Sequence, residues 1–157
     1  MSVESQTVEP QPVHAATPLS QPLYGATIGQ AVSRFFTKYA TFSGRASRSE
    51  FWWVYLAYVV VLAVIMIPLN AAGVTSVTVT ADNQIVYGPG YWVVWTISMI
   101  VSLALLVPSL AITWRRLHDT NRSGAIYFLA LIPFVGPIIL IVMLALPSNP
   151  AGVRFDR

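Results

Sequence analysis

Three long apolar runs, none holding a charged residue, constrain this chain more than anything else in it: residues 51–69, 91–114 and 123–146. A helix crossing the hydrocarbon of a bilayer needs about 20 predominantly apolar residues, so each run is long enough to span. Composition points the same way. Of 157 residues, 55% are hydrophobic and 10% charged, against about 25% charged in ordinary soluble domains. So few charges could not cover the surface of a soluble domain, and the missing polar surface implies a lipid solvent. The expected fold is an all-α membrane protein with three transmembrane helices in one membrane domain, residues 28–146.

The flanking segments differ in character. Residues 1–27 hold no Lys or Arg; their charges are Glu4 and Glu9, and Pro10, Pro12, Pro18 and Pro22 punctuate them. They read as a disordered tail without a secretory signal, because they bury too little apolar surface to offset their ordering entropy. In residues 28–42, Ile28, Val32, Phe35, Phe36, Tyr39 and Phe42 share one helical face, with Arg34 and Lys38 on the polar side. That pattern is an amphipathic helix lying in the membrane interface. Between the first two spans, Val77-Thr78-Val79-Thr80 alternates with period two, Ala81-Asp82-Asn83 is turn chemistry, and Gln84-Ile85-Val86-Tyr87 is strand-like. A small β-hairpin outside the membrane is expected there.

Prolines shape the spans. Pro68 suits the end of the first and Pro108 a kink in the second. The third carries Pro133-Phe134-Val135-Gly136-Pro137 at its centre. This disfavours a straight helix and leaves either a kinked span or a helix–turn–helix dip that returns to its own face. The kinked span is the expectation, because unsatisfied backbone at bilayer depth is costly unless buried in protein. Residues 147–157 form a short polar tail.

Two polar motifs bracket the apolar runs. The first is Gly44-Arg45-Ala46-Ser47-Arg48-Ser49-Glu50; the second is Arg115-Arg116-Leu117-His118-Asp119-Thr120-Asn121-Arg122-Ser123-Gly124. If the chain crosses normally, both arrive at one face, together with Arg34 and Lys38. Seven basic residues then face Arg154 and Arg157 on the other side, and the hairpin loop has none. The positive-inside rule places the N-terminus and the Arg-rich loop in the cytoplasm.

At these motifs the chain resembles the domain of unknown function 805 family of small bacterial inner-membrane proteins. The resemblance rests on Phe42-Ser43-Gly44-Arg45-Ala46-Ser47-Arg48-Ser49-Glu50-Phe51-Trp52, on Arg115 to Gly124, and on Pro133 with Gly136. It covers residues 28–146. Asn121 and Ala125 depart from the pattern, as does the tail. The resemblance implies a bacterial inner-membrane location and a multi-pass architecture, and no particular activity.

Taken singly, the polar residues have structural roles. Ser47 and Glu50 have capping-box spacing at the start of the first span, and Asp119 suits a cap or an ion pair. Together, Arg45, Arg48, Arg115, Arg116 and Arg122 outnumber Glu50 and Asp119 by five to two, with His118 alongside. Charges beside hydrocarbon are expensive unless paired, so Glu50 is expected to pair with an arginine of the second motif, Arg116. The surplus suits an anionic partner, the phosphate of a lipid headgroup being nearest. A binding or structural module is therefore the leading reading, with Arg45, Arg48, Arg115, Arg116, Arg122 and His118 as candidate lipid- or partner-binding residues. One alternative is an enzyme acting on a lipid phosphate through His118 and Asp119; another is a subunit of an oligomeric transporter. Neither a second nearby His nor a metal-ligand or nucleophile set appears, so no catalytic residue, metal or cofactor is expected. The net charge of +3 does not suggest a nucleic-acid partner, and the absence of cysteine excludes disulfides.

Overall fold

The computed structural model describes residues 17–156. Helix α1, Ile28–Thr37, starts at a reciprocal cap between Thr27 and Gln30. Helix α2, Arg48–Val61, runs through a π-helical stretch, Leu62–Met66, into α3, Ile67–Val74. Pro68, expected to end the span, instead sits in the first turn of α3. Its ring would clash with the carbonyl four residues back in a regular helix, and the wider π turn relieves that clash. The helical rod is thus 27 residues long, about 40 Å at 1.5 Å per residue.

Strands β1, Val77–Val79, and β2, Ile85–Tyr87, pair antiparallel with Val77 opposite Tyr87. Asn83, at φ 58°, turns the chain between them. Helix α4, Pro89–Asp119, then runs 31 residues through Pro108 as one element, about 46 Å. Both rods exceed the roughly 30 Å of a hydrocarbon core. Only 6% of the most apolar window of each is buried.

The third apolar stretch corrects the expectation of a kinked span. It consists of a 3-10 helix, Gly124–Leu131, and helix α5, Val135–Ala145. At about 2.0 and 1.5 Å per residue, each leg reaches only about 16 Å. Pro133, Phe134 and Val135 join them in a γ-turn: the Val135 amide donates to the Pro133 carbonyl at 2.7 Å, with Phe134 at φ 63° and ψ −56°. The legs fold against each other so closely that a Cβ on Gly136 would lie 1.8 Å from the Leu129 carbonyl oxygen. Both ends return to the end of α4. Gly124 abuts Trp114, and the Leu144 carbonyl accepts from Arg116 Nε at 2.9 Å. A last 3-10 helix, Pro150–Phe155, packs beside the same end, its Gly152 close to the His118 carbonyl.

The interior is inverted relative to a soluble protein. Among the largest fully buried side chains are Arg115, Arg116 and Asp119, whereas Ile67, Ile100, Leu131 and Phe134 are exposed. The main buried apolar cluster is small and includes Phe35, Phe51, Ile112, Leu117 and Leu144.

Candidate functional site

The polar groups form a plate at the shared end of α2 and α4. Its first part is built on the start of α2. Ser47 Oγ accepts from the Glu50 amide at 3.2 Å, and Glu50 Oε2 accepts from the Ser47 amide at 3.0 Å. Glu50 does not pair with Arg116. Its Oε1 lies 2.7 Å from Arg34 Nε, and Oε2 also accepts from the Leu23 amide at 2.9 Å. The reason is positional: α1 packs along α2 and delivers Arg34 to the helix start, while Arg116 faces the returning hairpin.

Residues 17–27, read from sequence as the end of a disordered tail, are drawn over this corner. Arg34 donates to the carbonyls of Thr17, Pro18, Leu19 and Gln21, the last at 2.6 Å. Ser47 Oγ donates to the Leu23 carbonyl at 2.6 Å, and the Ala26 amide donates to Ser49 Oγ at 3.0 Å. Burying apolar surface is unnecessary where a guanidinium and a helix cap satisfy the backbone. Residues 1–16, the rest of the expected tail, lie outside the described residues. Gly44 makes this approach feasible: at φ 79°, it lies where a Cβ would come within 2.6 Å of the Ser20 carbonyl oxygen.

The second part is built on the last turns of α4. Arg116 is fully buried. It donates to Asp119 and to the carbonyls of Leu144 and Leu146. Those carbonyls end α5 and have no helical partner, so Arg116 caps the returning leg. Asp119 also accepts from Ser148 and, at 3.4 Å, from Tyr24. Arg45 makes a fork to Asp156, with Nε–Oδ1 at 2.8 Å and Nη2–Oδ2 at 2.6 Å. The hydrogen bond to Asp156 raises the Arg45 pKa above its ordinary value. His118 Nδ1 donates to the Gly44 carbonyl at 3.1 Å, and its ring stacks on Phe155 at 4.0 Å.

This geometry divides the sequence candidates. Arg45 and Arg116 are already bound by carboxylates and carbonyls. His118 and Asp119, the pair behind the enzyme reading, turn to different partners and make no hydrogen bond to each other among the described residues. Arg48 is exposed and Arg122 half-buried, and neither has an ion pair among the described residues. Arg115 is buried; its Nε donates to the Ala111 carbonyl at 3.2 Å, and its Nη2 has no partner. Lys38, expected on an exposed polar face, is only 2% exposed, and its Nζ is unpartnered. Helix α1 ends at Thr37, short of the expected residue 42, so the helical-face pattern does not apply at Lys38. Burial first, then the charges of Arg115 and Arg34, lowers the Lys38 pKa to about 8.

Sequence reasoning missed Asp156, Tyr24 and Ser148. Asp156 left one signal: it is the lone carboxylate of a tail otherwise carrying Arg154 and Arg157. An open cleft of about 440 Å³ remains on the plate, lined by Tyr24, Gly25, Ser47, Arg48, Ser49, Pro147 and Ser148.

Exposed apolar rods long enough to cross a bilayer, closed at one end by a buried ionic plate, define a helical integral membrane protein. Residues 39–157 match the family described as "Protein of unknown function (DUF805)", and the chain belongs to that family. The inner membrane protein YhaI of Escherichia coli (strain K12) is 33% identical over 119 residues, covering 76% of this chain and 86% of that protein. The inner membrane protein YhaH of the same organism is 31% identical over 122 residues, covering 74% and 85%. No solved structure matches the chain.

Proposed function

We propose that this chain is an inner-membrane binding module that crosses the bilayer twice and holds an anionic phospholipid headgroup in the cleft at Arg48 on its cytoplasmic face. The inner-membrane location is supported by the names of the relatives. The crossing number is supported by two rods of sufficient length and a hairpin whose legs are too short. Orientation is supported by charge. With the hairpin re-entrant, Arg34, Lys38, Arg45, Arg48, Arg115, Arg116, Arg122 and Arg154 share one end, and residues 75–88 hold no Lys or Arg. That asymmetry favours a cytoplasmic plate.

The observation that carries the binding reading is the cleft itself. It combines an exposed guanidinium without a carboxylate partner among the described residues, three serine hydroxyls and the Tyr24 hydroxyl. Arg matches phosphate with two parallel donors, whereas the hydroxyl protons of Ser47, Ser148 and Tyr24 are already given to the Leu23 carbonyl and to Asp119. Arg45 and Arg116, by contrast, are occupied by Asp156 and Asp119. The test is lipid mass spectrometry on protein purified in neutral detergent. Arg48→Gln should retain several-fold less phosphatidylglycerol and cardiolipin than wild type, with zwitterionic lipid unchanged. Retention in the wild type should fall with salt, because this guanidinium is screened. Equal retention of anionic lipid by both proteins overturns the reading.

A further inference from the structure

Lys38 and Arg115 are the unexplained groups of the plate. Each is buried, at 2% and 1% exposure, and each ends in a nitrogen with no hydrogen-bond partner. A buried polar side chain without a partner is rare and costly, more so when charged. Lys38 caps the end of α1 and Arg115 lies in the last turns of α4, and these two helices contact each other. The charges of Arg115, Arg34, Glu50 and Asp156 all reach Lys38, and those of Glu50 and Arg34 reach Arg115. Glu50 is already bound by Arg34 and two backbone amides. Asp156 is already forked to Arg45. The cluster of Arg34, Lys38 and Arg115 against Glu50 therefore carries a surplus of positive charge, with donors left over.

We propose that Lys38 Nζ and Arg115 Nη2 form a buried site for a tetrahedral oxyanion of the phosphate class, separate from the Arg48 cleft. One such anion accepts from both nitrogens and cancels the surplus charge, which a bridging water would not. The alternative is a neutral Lys38 amine that accepts from Arg115, and it needs no ligand. The titration of Lys38 makes the two separable. Near pH 7 an ammonium is available to bind the anion; by pH 9 most of it is lost, because the pKa is about 8. The groups facing it are Arg115 and Arg34, which oppose its charge, and Glu50 and Asp156, which favour it.

The test is thermal unfolding of the full chain in neutral detergent, with sulfate titrated as the free oxyanion at constant ionic strength against chloride. A second arm uses phosphatidylcholine nanodiscs with or without phosphatidylglycerol, in sulfate- and phosphate-free buffer. That arm is run in the Arg48→Gln background, so that the cleft does not contribute. A stabilising shift with sulfate identifies a free anion as the ligand; a shift with phosphatidylglycerol alone identifies a headgroup. In either case Lys38→Met should abolish the shift while folding at least as well as wild type. Apparent affinity should fall about tenfold from pH 7 to pH 9 as Lys38 loses its proton. No shift in either arm, or a shift retained by Lys38→Met, overturns the proposal. Loss of lipid retention in Arg48→Gln with the sulfate shift intact leaves this site standing and concerns the cleft alone.

Discussion

Glu50 is the residue on which the plate turns. One carboxylate accepts two backbone amides, from Ser47 and Leu23, and holds the Arg34 guanidinium at 2.7 Å. It thereby caps α2, ties residues 17–27 to the membrane domain, and compensates the half-buried Arg34. Removing one partner of a buried pair costs about 3–5 kcal/mol, because the other charge is left uncompensated. Glu50→Ala should destabilise by that amount in thermal or denaturant unfolding. A double-mutant cycle identifies its partner: Glu50 with Arg34→Met should show coupling of about 1 kcal/mol or more, and Glu50 with Arg116→Met should be close to additive. The reverse pattern would restore the Arg116 pairing that residue spacing alone suggests.

The element that distinguishes this fold is the hairpin of the 3-10 helix and α5. Its turn places Phe134, a non-glycine residue that is 87% exposed, at φ 63°. A γ-turn of this hand is strained, at a cost of about 1–3 kcal/mol, and the exposed ring offers no packing to lose within the chain. Phe134→Gly should therefore leave the melting temperature in detergent unchanged or raise it. Gly136→Ala should do the opposite. A methyl group 1.8 Å from the Leu129 carbonyl oxygen must push the legs apart, at about 1–3 kcal/mol. If Gly136→Ala is neutral and Phe134→Gly destabilising, the legs do not fold back on one another. The first rod absorbs its proline differently. Pro68 is accommodated by one π-helical stretch within a continuous helix, because that defect leaves fewer backbone groups unsatisfied than a full turn would.

At the scale of the molecule, the fold keeps its polar groups at one end and its apolar groups outside. Two rods stand under a plate that joins separate parts of the chain, as Arg45 with Asp156 and Arg34 with Glu50 do. Topology reporters test the resulting orientation. Fusions after Arg122 and after the C-terminus should both report the cytoplasm, and one at Asp82 the opposite side. A C-terminal reporter on the side of Asp82 would mean that the third stretch crosses after all, and that Arg116 does not cap α5 at its own end.

What the sequence by itself determined is the solvent, the helices and the place of the charge. Three uncharged runs force a lipid environment, because no soluble packing hides so much apolar surface. Period-two alternation over Val77 to Thr80 with the turn at Ala81 to Asn83 was enough for the β-hairpin, since both signals are local. Ser47 and Glu50 are three residues apart, so their capping geometry is local as well. Only the tertiary structure decided who pairs with whom. Arg34 is 16 residues from Glu50 in sequence, and Asp156 is 111 from Arg45, distances over which no periodicity speaks. The burial of Lys38 depends on α1 ending at Thr37 and packing against α2 and α4, which the amphipathic pattern does not encode. For the third stretch the sequence favoured a kinked span, although two prolines four residues apart fit either a kink or a reversal. The reversal is favoured by the carbonyls of Leu144 and Leu146, which find their donor in Arg116 only if the chain comes back.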